Sequence, residues 1–289
     1  MKLLRFGLPG AEKPGILDHE GTIRDLSSVI PDLSGATISR YGLEVLRKVD
    51  LKTLPAVAAH TRLGAPIANV RHFIAVGLNY VDHALETDTP IPNEPVIFSK
   101  APSCIVGPND NIIIPKNSSK LDWEAEIAVV IGEAAYDISE AQALAAVAGY
   151  LICHDVSERD FQINRGGQWI KGKSAPTFGP LGPWLVTSDE IENPQQLNVS
   201  LRVNGVTMQA GTTAKMIFSI AHVVSYISKF MALEPGDIIT TGTPHGVGLG
   251  KKPPLFLQPN DVVEISIDGL GSQRQVVVSR LTAHQRQLA

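Results

Sequence analysis

LDWEAEIAVVIG, residues 121–132, carries two carboxylates one residue apart, Glu124 and Glu126, at the head of an unbroken apolar run. Ile127 to Ile131 reads as a buried strand, and a second apolar run ends at Asp155 within ICHDVSERD, residues 152–160. In an extended chain side chains alternate faces, so positions 124 and 126 project to the same side. Two like charges held there repel unless a cation lies between them. E-x-E alone also describes a solvated strand face answered by Lys or Arg. Here both acidic clusters adjoin elements that read as core, so Glu124, Glu126 and Asp155 form a candidate metal site. An all-oxygen donor set suits a hard divalent ion, Mg²⁺, Mn²⁺ or Ca²⁺, rather than zinc.

The rest of the composition narrows the class. At 289 residues the chain is long enough for one large domain with an appendage, or for two. A hydrophobic fraction of 44% with 19% charged residues is ordinary for a soluble globular protein. The net charge is −4, with no block of Lys or Arg beyond Lys251 and Lys252, so neither nucleic acid nor an anionic membrane is expected as a partner. The opening MKLLRFGLPGAEKPG turns to Gly and Pro before a signal-peptide core forms, and no long apolar stretch occurs, so a cytoplasmic location is expected. Only Cys104 and Cys153 are present, without paired spacing, which fits a reducing compartment. Cys153, inside an apolar run, reads as an inert core thiol.

Residues 1–70 read as a small N-terminal α/β unit: a strand at Lys2 to Phe6, another at Gly15 to Leu17, and a helix from Ile38 to Val49 with Tyr41, Val45 and Val49 on one stripe. Residues 71–289 form the larger expected domain, mainly β with some α. FIAVGLNY, PVIFSK, NIIIP, EIAVVIG, GYLICHD, PLGPWLVT, LNVSLRVNG, DIITTG and DVVEISIDGLG are its short strands. Two helices are expected among them, Ser139 to Ala148 and Ile217 to Met231, the second with Ile220, Val223, Val224, Ile227 and Met231 as a core stripe. So many short strands suggest a closed or sandwiched sheet.

GLNYVDHALE, PVIFSK, DWEAEIAVVIG, GYLICHDVSERDFQ, the KGKS of Lys171 to Ser174, TFGPLGPWLVT and ITTGTPHGVG, in this order, closely resemble the fumarylacetoacetate hydrolase superfamily. The resemblance covers roughly residues 71–280. It implies a mixed, rolled β-sheet around a metal-centred site, a homodimer, and, for residues 1–70, the small domain of the bacterial members. It assigns the metal, Mg²⁺ or Mn²⁺ with Ca²⁺ as a substitute, to Glu124, Glu126 and Asp155, in agreement with the reading of the carboxylates themselves.

His83 and Glu86 match the family's His-x-x-Glu pair, adjacent if their segment turns into a helix when the site closes. A neutral His backed by a carboxylate takes a proton from water; a surface pair in a polar loop is the plainer reading. The following TDTPIPNEP is a connector of the kind that forms lids. Lys173 matches the family's active-site lysine, a cation beside developing oxyanion charge. Arg159 and Gln162, three apart after a possible N-cap at Ser157, suit a substrate carboxylate or keto oxygen. Arg159 is equally open to a structural ion pair with Asp160 or Glu158. Lys100 and Thr243 match further ligand-contacting positions. GTPHGVGLG lacks the order and setting of a dinucleotide loop, and its His245 is a turn residue or a pocket residue.

By this resemblance the substrate is a small keto or diketo acid, and the reaction is hydrolysis of a C–C bond. The start of the chain and the DVSERDFQ to TGTPHGVG segments most resemble bacterial hydrolases of 2,4-diketo-3-deoxy sugar acids such as the rhamnonate derivative, which release pyruvate and a hydroxy acid. Arg159, Gln162 and His245 are the polar residues expected to serve a hydroxylated tail. Ureidoglycolate lyase, oxaloacetate decarboxylase and keto-enol isomerase are alternatives on the same site. A binding protein without catalysis, on the same fold, is the alternative of another class.

Overall fold

The strands Ala125–Ile131 and Val147–His154 are buried along their whole length, as their unbroken apolar texture requires. They pair antiparallel, with Glu126 opposite Cys153 and Ala128 opposite Leu151. Each Val, Ile or Leu they bury contributes about 1.5–3 kcal/mol relative to exposure. The computed structural model describes residues 1–280.

These two strands are the centre of an eleven-stranded sheet. On one side follow Gly179–Thr187, Lys2–Phe6, Lys13–Leu17 and Ile23–Asp25; on the other, Ile238–Thr240, Phe73–Gly77 and Val96–Lys100. Most pairs are antiparallel, but Ile238–Thr240 runs parallel to Phe73–Gly77, so the sheet is mixed. A five-stranded sheet, Val206–Thr212, Asn198–Val203, Val262–Ile267, Gly271–Val278 and Ile112–Ile113, packs near it, and a two-stranded ladder joins Leu121–Asp122 to Ser157–Glu158. With 33% strand against 20% helix the chain is mainly β, as expected.

Residues 1–70 contribute to the same sheet rather than to one of their own: Leu3 lies opposite Leu185 of the Gly179–Thr187 strand. The helix expected from Ile38 to Val49 spans Arg40–Arg47 behind an N-cap at Ser39. Its buried residues are Leu43 and Leu46, whereas Tyr41 and Val45 of the expected stripe are exposed; Val49, beyond the helix, is partly buried against the core. The helix expected from Ser139 to Ala148 is two short turns, Glu140–Ala143 and Leu144–Ala146. Val147 and Ala148 are taken by the central strand, where pairing outweighs local helical propensity. The second helix runs Ile220–Ser228, with Ile220, Val223, Val224 and Ile227 buried as expected.

Candidate active site

The acidic trio stands where the two central strands stop. Glu124 immediately precedes Ala125–Ile131, and Asp155 immediately follows Val147–His154. The Asp155 N–H donates to Glu124 O at 3.0 Å, which prolongs the ladder by one step and sets the two carboxylates side by side. Glu124 thus lies just outside the strand on which the sequence placed it, yet keeps the face that it shares with Glu126. One oxygen from each of Glu124, Glu126 and Asp155 lies within 4.8 Å of the others, and all three residues are at most 4% exposed.

Cations surround them. Lys173 Nζ donates to Glu124 Oε2 at 2.6 Å and to Asp155 Oδ2 at 2.8 Å. Arg159 stands 2.7 Å from Glu124 Oε1 and donates from Nε to Asp122 Oδ2 at 2.8 Å. Lys100 Nζ donates to Asp155 Oδ1 at 2.5 Å, to Phe178 O and to Lys173 O. Burial works to raise the Glu124 carboxyl, but Lys173 and Arg159 hold it well below the usual carboxylate range. Glu126 goes the other way. Burial, then the charges of Asp155 and Glu124, push its carboxyl far up.

Four buried carboxylates, Asp122 included, thus face three buried cations, leaving one net negative charge when all are ionised. Glu126 Oε2 accepts from Thr240 Oγ1 and from the Gly242 N–H, but among the described residues Glu126 Oε1 takes part in no hydrogen bond. A free oxygen, a carboxyl destabilised by its neighbours and an all-oxygen donor set together fit a hard divalent cation.

The trio opens into a cavity of about 340 Å³ that is also lined by His83, Arg159, Gln162, Lys173 and Thr243. His83 and Glu86 lie on a helix that is already formed, Val81–Glu86, rather than in a loop awaiting closure. His83 Nδ1 is 2.9 Å from Glu86 Oε1. An ionised Glu86 therefore holds the proton on Nδ1 and leaves Nε2 as the free ring nitrogen. Glu86 Oε2 also accepts the Gly246 N–H at 2.8 Å, tying this helix to the glycine-rich loop. The connector after the helix reaches the cavity through Thr87 and Thr89.

Lys173 and the Arg159–Gln162 pair come from two short helices, Ile170–Lys173 and Arg159–Ile163. Their closeness depends on Gly172, because a Cβ there would stand 2.5 Å from Gln162 N and 2.6 Å from Glu158 O. The N-cap of Arg159–Ile163 is Glu158, whose side chain accepts from the Asp160 N–H; Ser157 instead donates to Asp155 O. Arg159 pairs with Asp122 and Glu124, not with Asp160 or Glu158, because adjacent residues on a helix do not face each other. Its NH1 donates to Gln162 Oε1 at 3.0 Å, which leaves Gln162 Nε2 without a partner among the described residues.

Two expected ligand contacts sit differently. Lys100 is fully buried behind Asp155 and does not line the cavity, so its place is beneath the acids rather than against a ligand. Thr243 lines the cavity, but its hydroxyl donates to Ala125 O and accepts from Gln209 Nε2. His245 is outside the cavity, 45% exposed and 3.1 Å from Asp82. Replacing Lys100 with Met is expected to destabilise the fold by about 3–5 kcal/mol, since it leaves the Asp155 charge buried with one cation fewer. Denaturant unfolding measures this; a loss below 1 kcal/mol would mean that Lys100 does not hold Asp155.

The sequence reading missed Asp122. It is fully buried and accepts from Arg159 and from the Gly248 and Leu249 N–H groups at 2.6 and 2.9 Å. Its signal was the same two-residue spacing that singled out 124 and 126. A larger cavity of about 720 Å³ lies against Arg5, Arg62 and Asp110, whose charges are already paired. It holds none of the candidate chemistry.

The chain belongs to the fumarylacetoacetate hydrolase family: the family model described as Fumarylacetoacetate (FAA) hydrolase C-terminal matches residues 72–278. A Burkholderia ambifaria protein with the provisional name of hydrolase is 56% identical over 276 residues, 95% of this chain and 98% of that protein. Among solved structures, the fumarylacetoacetate hydrolase of Exiguobacterium antarcticum is 40% identical, with a TM-score of 0.87 over 97% of this chain and 100% of that one. The maleylpyruvate hydrolase of Sphingobium sp. SYK-6, in complex with manganese(II) and pyruvate, is 27% identical, with a TM-score of 0.81 over 96% of this chain and 99% of that one.

Proposed function

We propose that this chain is a divalent-metal-dependent hydrolase that cleaves a C–C bond in a small diketo acid and releases pyruvate. The observation that carries the reading is the buried trio Glu124, Glu126 and Asp155 opening into one cavity with His83. Those three residues would hold Mg²⁺ or Mn²⁺, with Ca²⁺ as a substitute. When bound, the ion supplies Lewis-acid polarisation of a 2-keto carboxylate and turns the net charge of the acidic cluster from one negative to one positive.

The chain's own groups then divide the work. Arg159 and Lys173 hold Glu124 ionised and aligned, Lys173 also pairs with Asp155, and Lys173 adds positive charge beside the substrate's oxygens. Gln162 Nε2 donates to a keto or carboxylate oxygen. His83 Nε2 accepts a proton from water while Glu86 holds the Nδ1 proton; the water oxygen bonds to the far carbonyl carbon, the C–C bond breaks, and the departing carbon takes up a proton. Thr87 and Thr89 belong to the connector that closes over the site in this reading. The homodimer implied by the resemblance is part of the same proposal and is measured by light scattering.

The test is product release by the Mn²⁺-loaded protein from a 2,4-diketo acid, oxaloacetate and ureidoglycolate in parallel. Pyruvate is expected from the diketo acid. Carbon dioxide from oxaloacetate alone, or glyoxylate from ureidoglycolate alone, would replace hydrolysis by decarboxylation or lyase chemistry. Binding of pyruvate without turnover of any of the three would make the chain a binding protein.

A further inference from the structure

The cavity has a second character away from the acids. Trp169 and Phe98 meet edge to face, ring centroids 5.2 Å apart at 62°, and both line the cavity beside Ile163 and Leu249. Phe98 also lies 5.4 Å from Lys173 Nζ, so the aromatic wall begins directly beside the charged end. The seat of Trp169 depends on Gly77, because a Cβ at position 77 would stand 2.3 Å from Trp169 Cζ3.

This wall offers few partners to a polar tail. Thr87 Oγ1 donates to His83 O and lies 3.1 Å from Thr89 Oγ1, and the Thr243 hydroxyl is held by Ala125 O and Gln209. Gln162 Nε2 is the one side-chain amide donor there without a partner among the described residues, and it stands beside Arg159. A hydroxyl buried against this wall without a partner would lower affinity by about tenfold. An apolar or aromatic group instead gains from leaving water and from ring contacts.

We infer that Trp169, backed by Phe98, is the specificity-determining residue of this site, and that it selects keto and diketo acids whose far end is an apolar acyl or aryl group over those with a polyhydroxylated tail. This rests on the reading of the charged end as a keto-acid site and adds the identity of the tail. It also moves the expectation away from sugar acids: of the three polar residues that pointed there, His245 is outside the cavity and Arg159 is held by carboxylates.

Calorimetry on the full, Mn²⁺-loaded chain tests it with inert probes that share a 2-keto carboxylate: pyruvate, 2-oxohexanoate, phenylpyruvate and a polyhydroxylated 2-keto-3-deoxy acid. Phenylpyruvate and 2-oxohexanoate are expected to bind at least about tenfold tighter than pyruvate, and the hydroxylated acid no tighter than pyruvate. Trp169→Ala should erase the apolar gain, so that phenylpyruvate and pyruvate bind alike to the variant; Trp169→Phe should keep most of it. Gly77→Ala should reproduce the loss by unseating the tryptophan without replacing it. A hydroxylated acid that binds as tightly as phenylpyruvate overturns the inference, as does an undiminished apolar gain in Trp169→Ala. If that variant does not fold, the wild-type ratios and Trp169→Phe still decide. Failure of pyruvate and every other probe to bind would bring down the keto-acid reading as well, whereas equal binding of all four sinks the tail assignment alone.

Discussion

Glu126→Gln is expected to weaken Mn²⁺ binding by about 100-fold or more and to reduce turnover of a diketo acid by at least as much, in a protein that remains folded. Loss of a residue that merely supports a metal ligand commonly costs 10–100-fold, so loss of one ligand charge belongs at or beyond the upper end of that range. The geometry sharpens the prediction. Among the described residues, Glu126 is the one member of the trio without a lysine or arginine partner, and its oxygens are met only by Thr240 and the Gly242 N–H. Burial and the charges of Asp155 and Glu124 all disfavour its ionised form, so in the metal-free protein glutamine relieves repulsion. In EDTA the variant should therefore melt no lower than the wild type. With Mn²⁺ at about 100 times Kd, the wild type should gain about 2.7 kcal/mol and the variant almost nothing. Equal Mn²⁺ affinities by calorimetry would show that Glu126 is not a ligand.

The parts of the site readable in the sequence are those governed by short-range geometry. Alternation along an extended chain placed Glu124 and Glu126 together, and an apolar run ending in an acid brought in Asp155; the backbone bond between Asp155 and Glu124 is the structural counterpart. The same rule applied once more would have found Asp122. Lys173, His83 and Glu86 were legible only through the family resemblance, since nothing local distinguishes a site lysine from a solvated one. What the sequence hid depends on contacts across long separations. The aromatic wall joins positions 77, 98 and 169, and Lys100 becomes a buried counter-ion because Asp155, 55 residues later, lies against it. Arg159 has two acids next to it in sequence and pairs with neither. Helical geometry turns them away, and Asp160 is taken by Arg165 instead.

His83→Ala is expected to reduce hydrolysis of a diketo acid by about 10²–10⁴-fold while Mn²⁺ affinity and pyruvate binding stay within a few-fold of the wild type. The division follows from where the side chains are rooted. Glu124 and Asp155 are held by Lys100, Lys173 and Arg159, Glu126 by Thr240 and the Gly242 N–H, and no hydrogen bond joins His83 to any of them among the described residues. His83 is fixed instead by Glu86 on its own helix, so its removal leaves the acids in place. Glu86→Gln should be worse than a simple loss of the carboxylate's charge. If the amide oxygen accepts from the Gly246 N–H, the amide nitrogen faces His83 Nδ1 and can only donate to it, so the variant either releases the loop or reverses the ring tautomer and removes the free Nε2. Its turnover should fall at least as far as that of His83→Ala, with a weaker hold on long-tailed keto acids because Leu249 of that loop lines the cavity. Calorimetry with pyruvate in Mn²⁺ buffer, run beside turnover, separates these effects. A His83→Ala variant that loses pyruvate binding as severely as Glu126→Gln would make the imidazole part of the binding site rather than the base, and one that keeps full hydrolysis would remove it from the chemistry.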